Sequence, residues 1–195
     1  MTGELARIIQ ERFPREVIAA HRYRGQETVL IKREGLLGLA RMLRDDPSVA
    51  MDVLMDLSCV DYLKFGKTQG SAPTLATPSP LPYYMQPKAV TETWERGVSN
   101  DEYRFEVVYH FYSTSHNHRL RVKVPLPASD PTVDSLEGIW QAANWFEREA
   151  WDMFWVRFAG HPNLRRILMY EEFQGHPLRK DYPIRRRQPL IGPIN

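Results

Sequence analysis

The sequence predicts an α+β domain, a mostly antiparallel sheet packed with helices, followed by an extended C-terminal tail. Two alternating runs, 104–112 and 119–126, flank a short polar connector and read as a hairpin. Apolar residues at three- and four-residue spacing mark helices near the N-terminus, over 35–44 and over 134–154. Beyond Trp155 this period is lost and proline and arginine take over. These patterns place the domain in residues 1–155, with an insertion at 64–100, and the tail in 156–195.

The first helix has Thr2 as its expected cap, and Leu5, Ile8, Ile9 and Phe13 share one face before Pro14. Two short β-like runs, 17–21 and 28–32, flank a polar turn at Gly25 and Gln26. Leu36, Leu39, Ala40 and Leu43 keep helical register until Asp45-Asp46-Pro47. Residues 51–62 are a long, mainly apolar run with Asp52 and Asp56 inside it, and their Val and Leu content predicts a strand, bulged or broken. Residues 64–100 change character. Five prolines lie between Ser71 and Pro87 with no apolar period, so this stretch reads as an insertion loop, with Tyr83, Tyr84 and Trp94 as its pinning points.

In the hairpin, Phe105, Val107, Tyr109 and Phe111 alternate with Arg104, Glu106, Val108 and His110. Leu120, Val122, Val124 and Leu126 alternate with Arg119, Arg121 and Lys123, giving one wet face of positive charge. Asp134 and Glu137 read as a capping box opening a helix to Phe154. Its stripe runs through Leu136, Ile139, Trp140, Ala143, Ala150, Trp151 and Phe154. Glu147 interrupts that stripe. A carboxylate on a buried face needs an arginine or donors from the fold; if the helix instead bends near Asn144, Glu147 stays in water.

A net charge of +2 on 195 residues supplies no bulk field for a polyanion. The single cysteine, Cys59, leaves no internal disulfide and no iron–sulfur cluster held by this chain alone, and suits a reducing compartment. No apolar run has the length of a spanning helix, and residues 1–15 lack a signal-peptide core, so membrane association is expected only through a partner. Glycine-rich phosphate loops and zinc-protease motifs are absent from the sequence.

His161 and His176 match no compact metal-ligand spacing and read as structural or interface residues. His116 and His118 form an alternating pair that a metal or plain solvent would suit. Glu147, Glu149 and Asp152 offer carboxylates for acid–base work, but with Glu149 three and Arg148 four residues from Asp152, ordinary surface pairing on a helix accounts for them without a pocket. Arg165, Arg166, Arg179, Lys180 and 185–187 supply a basic tail for phosphates or for a protein surface. The interspersed Pro183, Ile184, Pro189 and Ile191, with the near-neutral total, favour protein over nucleic acid or lipid.

Ala143-Asn144-Trp145-Phe146-Glu147-Arg148-Glu149, Trp151-Asp152-Met153-Phe154, Gly160-His161-Pro162, Leu164-Arg165-Arg166-Ile167-Leu168 and Gly175-His176-Pro177-Leu178-Arg179-Lys180-Asp181-Tyr182-Pro183 come in unbroken order. This resembles the C-type subunit of NADH-quinone oxidoreductase, the thirty-kilodalton-type component of respiratory complex I. The likeness covers most of the chain except 64–100 and about the last ten residues.

The resemblance implies a non-catalytic structural subunit of the hydrophilic peripheral arm, on the cytoplasmic side of an energy-transducing membrane. It would pack against the quinone-site (D-type) subunit and near iron–sulfur subunits. FMN, Fe–S clusters and quinone would sit in those partners, and this chain would hold no cofactor or metal. Docking would fall to Glu147, Arg148, Glu149, Asp152, His161, Pro162, Arg165, Arg166, His176, Pro177, Arg179, Lys180 and Asp181. A domain truncated before Gly160 is expected to stay folded but not to assemble.

Two features depart from the pattern. Trp155 stands where the family usually has glycine, so the turn there is expected to be reshaped. The proline-rich insertion is long. Both leave room for a relative serving another electron-input module, an energy-converting hydrogenase or a ferredoxin–plastoquinone oxidoreductase of photosynthetic membranes.

Overall fold

The computed structural model describes residues 3–63, 103–183, 185 and 187–189. Helix α1 (Glu4–Arg12) starts at Gly3 with no side-chain cap of its own. The Glu27 carboxylate takes that role from a neighbouring strand, accepting the Ala6 N–H at 2.7 Å. Thr2 and the insertion 64–100, with Tyr83, Tyr84 and Trp94, lie outside the described residues.

Strands β1 (Val17–Tyr23) and β2 (Gln26–Ile31) form an antiparallel hairpin. Its two turn residues, Arg24 and Gly25, have φ of 49° and 83°, the pair of positive values that matches strand twist in a two-residue turn. After a single 3₁₀ turn, α2 (Leu36–Asp45) buries Leu36, Leu39, Ala40 and Leu43. Strand β3 (Val53–Asp61) follows, with a register shift between Leu54 and Asp56. This is the expected strand, and it is bulged rather than broken.

β4 (Phe105–Ser113) and β5 (His118–Leu126) are the expected hairpin. The five-stranded sheet has order β1-β2-β5-β4-β3, antiparallel except for the β2–β5 pair. Phe105, Val107, Tyr109, Phe111, Val122 and Val124 are buried, and the tilted pair of Phe111 and Trp140 (4.8 Å between centroids) extends this core beyond the sheet. The other face is less wet than its alternation predicts. Glu106 is buried, its carboxylate accepting from Lys123 Nζ at 2.9 Å and Tyr62 Oη at 3.0 Å, and Arg104 and Val108 are buried too. His116 and His118, stacked on each other, direct their Nε2 atoms to the Pro47 and Val49 carbonyls, both at 2.8 Å, and so pin the loop after α2.

The single helix expected over 134–154 is instead two units. Asp134 ends a short strand, β6 (Thr132–Asp134), and the helix α3 begins only at Ala143 and runs to Phe154. β6 pairs in parallel with β7 (Arg157–Ala159), and the Ser135 N–H donates to the Ala159 carbonyl at 2.9 Å. That long-range pairing outcompetes the local capping box, because the backbone it needs at 134–135 is already committed to β7. Leu136, Ile139 and Trp140 still reach the core, from a turn rather than a helix.

Candidate docking surface at the C-terminal strap

Glu147 is fully buried, so the wet alternative is ruled out. Its oxygens accept from Ser135 Oγ at 2.6 Å and the Leu136 N–H at 2.7 Å, which caps the turn that Asp134 was expected to cap. Burial pushes its carboxyl up to about 7, against the pull of those two donors, with Glu137 adding to the rise.

Asp152, one turn and a half further on, is also fully buried. The sequence suggested surface pairing with Arg148; the structure pairs it elsewhere. Its Oδ2 accepts three successive backbone N–H groups, Ile167 at 3.1 Å, Leu168 at 2.9 Å and Met169 at 2.9 Å, and its Oδ1 takes Arg166 Nη1. Burial works against the charge, but these donors prevail and hold the carboxyl below its ordinary range. Arg148 turns the other way, donating to the Arg165 and Arg166 carbonyls at 3.2 and 3.1 Å, and Glu149 faces solvent. Arg166 completes the joint through the Phe173 and Gly175 carbonyls at 2.8 and 3.1 Å.

Both Gly-His-Pro segments are fastened by their histidines. His161 Nε2 lies 3.1 Å from the Asn144 carbonyl, so that nitrogen carries the proton, while Nδ1 accepts the Asn163 N–H at 3.0 Å. His176 Nδ1 donates to the Asp152 carbonyl at 2.8 Å. Carbonyl partners fix each ring's tautomer, and no group of three His, Cys, Asp or Glu fit for a metal occurs among the described residues. Pro162 and Pro177 follow in the turns.

A second clasp lies at the far end. Arg104 grips Asp61 with Nε at 3.0 Å and Nη2 at 2.8 Å, and Asp181 with Nη1 at 3.0 Å and Nη2 at 2.9 Å. Lys180 donates its backbone N–H to Asp61 at 2.8 Å, and Arg179 reaches Asp181 and the Phe154 carbonyl. Hydrogen bonds from Arg104 hold Asp181 well below the usual carboxylate range. Sequence reading missed Asp61 and Arg104. The one available signal was their position, a carboxylate closing one strand and an arginine opening the next, on either side of the insertion.

Trp155 closes α3 in the left-handed conformation, φ 65° and ψ 29°, its N–H donating to the Trp151 carbonyl at 2.8 Å. The tryptophan that stands at the family's glycine position thus bears a conformation that favours glycine. The strap therefore has two sides. Its inner side is bonded to α3, β3 and β4, while Leu168, Leu178, Arg157, Arg165 and the Lys180 side chain face outward.

A model of the respiratory-chain NADH dehydrogenase 30 Kd subunit family matches residues 29–188, sheet and strap together. The chain belongs to that family. The C-type subunit of the NADH-quinone oxidoreductase of Citrifermentans bemidjiense is 37% identical over 189 residues, 96% of this chain and 94% of the relative. Its counterpart in Acidithiobacillus ferrooxidans is 39% identical over 165 residues, covering 85% of this chain and 67% of the relative. Among solved structures, a trypsin-resistant fragment of Nqo5 superposes with a TM-score of 0.57 at 23% identity, over 82% of this chain and 98% of that one. A chain of the membrane-bound sulfane sulfur reductase, an archaeal respiratory membrane complex, gives 0.63 at 17% identity, over 93% and 85%. At those identities the two structures speak for the fold, which this family member shares. No helix among its described residues is long and apolar enough to cross a membrane.

Proposed function

We propose that this chain is a non-catalytic structural subunit in the peripheral arm of an NADH-quinone oxidoreductase. Electrons would pass from NADH through FMN and iron–sulfur centres to quinone, all of them in partner subunits. The strap would dock on the quinone-site subunit, with iron–sulfur subunits nearby and the assembly on the cytoplasmic face of the membrane.

One observation carries this reading. A strap of more than twenty residues is bonded inward through Asp61, Asp152 and Asp181, yet leaves cations and large apolar side chains outward. Arginine and aromatic side chains in such a setting are the composition of a protein interface. The buried carboxylates are consumed by structural donors, and Cys59 is buried with its thiol pushed far up by desolvation, which suits a scaffold rather than a reaction centre.

The test is affinity purification of the full chain from native membranes, followed by mass spectrometry. Recovery of the quinone-site and iron–sulfur subunits in fixed ratio is the expected result. Recovery of the chain without them, or with nucleic acid alone, would overturn the proposal.

A further inference from the structure

Trp155 presents a contradiction that the isolated chain does not resolve. Its backbone is left-handed, a conformation that suits glycine or asparagine and disfavours a bulky side chain. The residue nevertheless remains 42% exposed, so a large part of its apolar surface is left uncovered by this chain. The ring is also held rigidly. It stacks on His176 at 6.1 Å and 24°, with the Arg157 and Arg179 guanidinium carbons 5.5 and 5.9 Å from its centre. His176 and Arg179 are themselves bonded to the Asp152 and Phe154 carbonyls. Leu178, 48% exposed, is fixed beside the helix end by its N–H on the Met153 carbonyl.

We infer that Trp155 and Leu178 form a preorganised knob that inserts into an apolar pocket of a partner subunit. The pocket's rim would be carboxylate-bearing. Arg157 and Lys180 flank the knob, both exposed, and neither side chain forms an ion pair among the described residues. Asp181, next to Lys180 in sequence, is occupied by Arg104 and Arg179, and Arg157 feels Asp130 only through space, beyond ion-pair distance. The occupant therefore brings the missing negative charge. A rigid indole in a fixed frame suits a shaped protein pocket, where tryptophan and arginine dominate binding, better than a fluid lipid surface. The inference rests on the docking reading above and adds which residues bear it and what they meet.

The experiment uses the full chain in its purified complex, as wild type, Trp155→Gly and Trp155→Asn, the last two both tolerant of a left-handed backbone. The melting temperature of each isolated variant is expected within ~3 °C of wild type or above it. Its dissociation from the complex, read by exchange against tagged wild-type chain, is expected to be at least tenfold faster. In parallel, a zero-length carbodiimide cross-links amines to adjacent carboxylates, and Lys180 is the only lysine after Lys123. Its expected product joins another subunit's Asp or Glu. An unchanged exchange rate with that cross-link intact means that the strap docks without the knob, which overturns this inference alone. Absence of any interchain product at Lys180, with exchange also unchanged, removes the docking reading as well. Loss of binding to phosphatidylcholine–phosphatidylglycerol vesicles, with exchange from the complex unchanged, would make lipid the occupant and overturn the protein pocket.

Discussion

Replacing Glu147 with glutamine should stabilise this protein at pH 8 and do almost nothing at pH 5. The carboxyl lies in the core, and its two oxygens meet one hydroxyl and one backbone N–H, with no ion pair to a cation among the described residues. The Tyr109 hydroxyl, buried without a hydrogen-bond partner among the described residues, stays neutral throughout this range because burial, and after it the Glu147 charge, push its ionisation well up. An acid whose folded value is raised is held in its protonated form by the fold. Its contribution is therefore complete below the unfolded value and is lost as pH rises from 4.5 through about 7. That interval converts to roughly 3 kcal/mol at ~1.4 kcal/mol per tenfold.

Glutamine keeps the shape, accepts the Leu136 N–H and donates to Ser135, but never ionises. Urea denaturation of wild type and Glu147→Gln across this range should give a stability difference growing from near zero to about 1–3 kcal/mol in favour of glutamine. Other titrating groups cancel in that difference. Equal destabilisation by glutamine at both pH values would show that the carboxylate is ionised and held as an anion by Ser135 and Leu136, refuting the argument.

Two further substitutions probe the clasps. Asp152→Asn breaks the pair with Arg166 and presents an amide to a site built of donors, so a loss of about 3 kcal/mol is expected by urea denaturation. Because this carboxyl is held low in the folded state, the wild type should lose that stability as pH falls below 3.8, and Asp152→Asn should lack this part of the acid dependence. Arg104→Lys removes the double fork on Asp61 and Asp181, at a cost of about 2 kcal/mol. Faster hydrogen exchange at the Lys180 amide, which donates to Asp61, would report the loosened strap directly. Truncation before Gly160 strips Asp152 of three N–H donors and Arg166, and Arg104 of Asp181, so the shortened chain should melt lower rather than persist as a separate domain.

The sheet was legible because period-two alternation over 104–126 needs nothing beyond local chemistry, and α2 likewise ends at its own Asp-Asp-Pro. The start of α3 was not. Asp134 and Glu137 have a good local capping pattern, but β7, arriving more than twenty residues later, takes the backbone that the cap requires. The same holds for Asp152. Its helical spacing to Arg148 is satisfactory, and the winning partners sit at 166–169 in a segment with no period to announce them. Asp61 and Arg104 are 43 residues apart, and their meeting follows only from β3 and β4 being neighbours. Trp155 was found only as a departure from a family pattern, since propensity argues against a tryptophan at positive φ.

The strap shows how a chain with a net charge of only +2 acquires a directional surface. Three aspartates, Asp61, Asp152 and Asp181, point inward or sideways and consume Arg104, Arg166 and Arg179 together with five backbone N–H groups. What remains outward is Arg157, Arg165, Lys180, Arg185 and Arg187, opposed along the strap by Glu171 and Glu172. Each inward carboxylate therefore does two things at once. It fixes the extended backbone, which has no ladder of its own beyond β7 among the described residues, and it removes a negative charge from the face left for a partner. Folding the strap and polarising it are then the same event, and a variant that frees an aspartate should weaken docking through charge as well as through disorder.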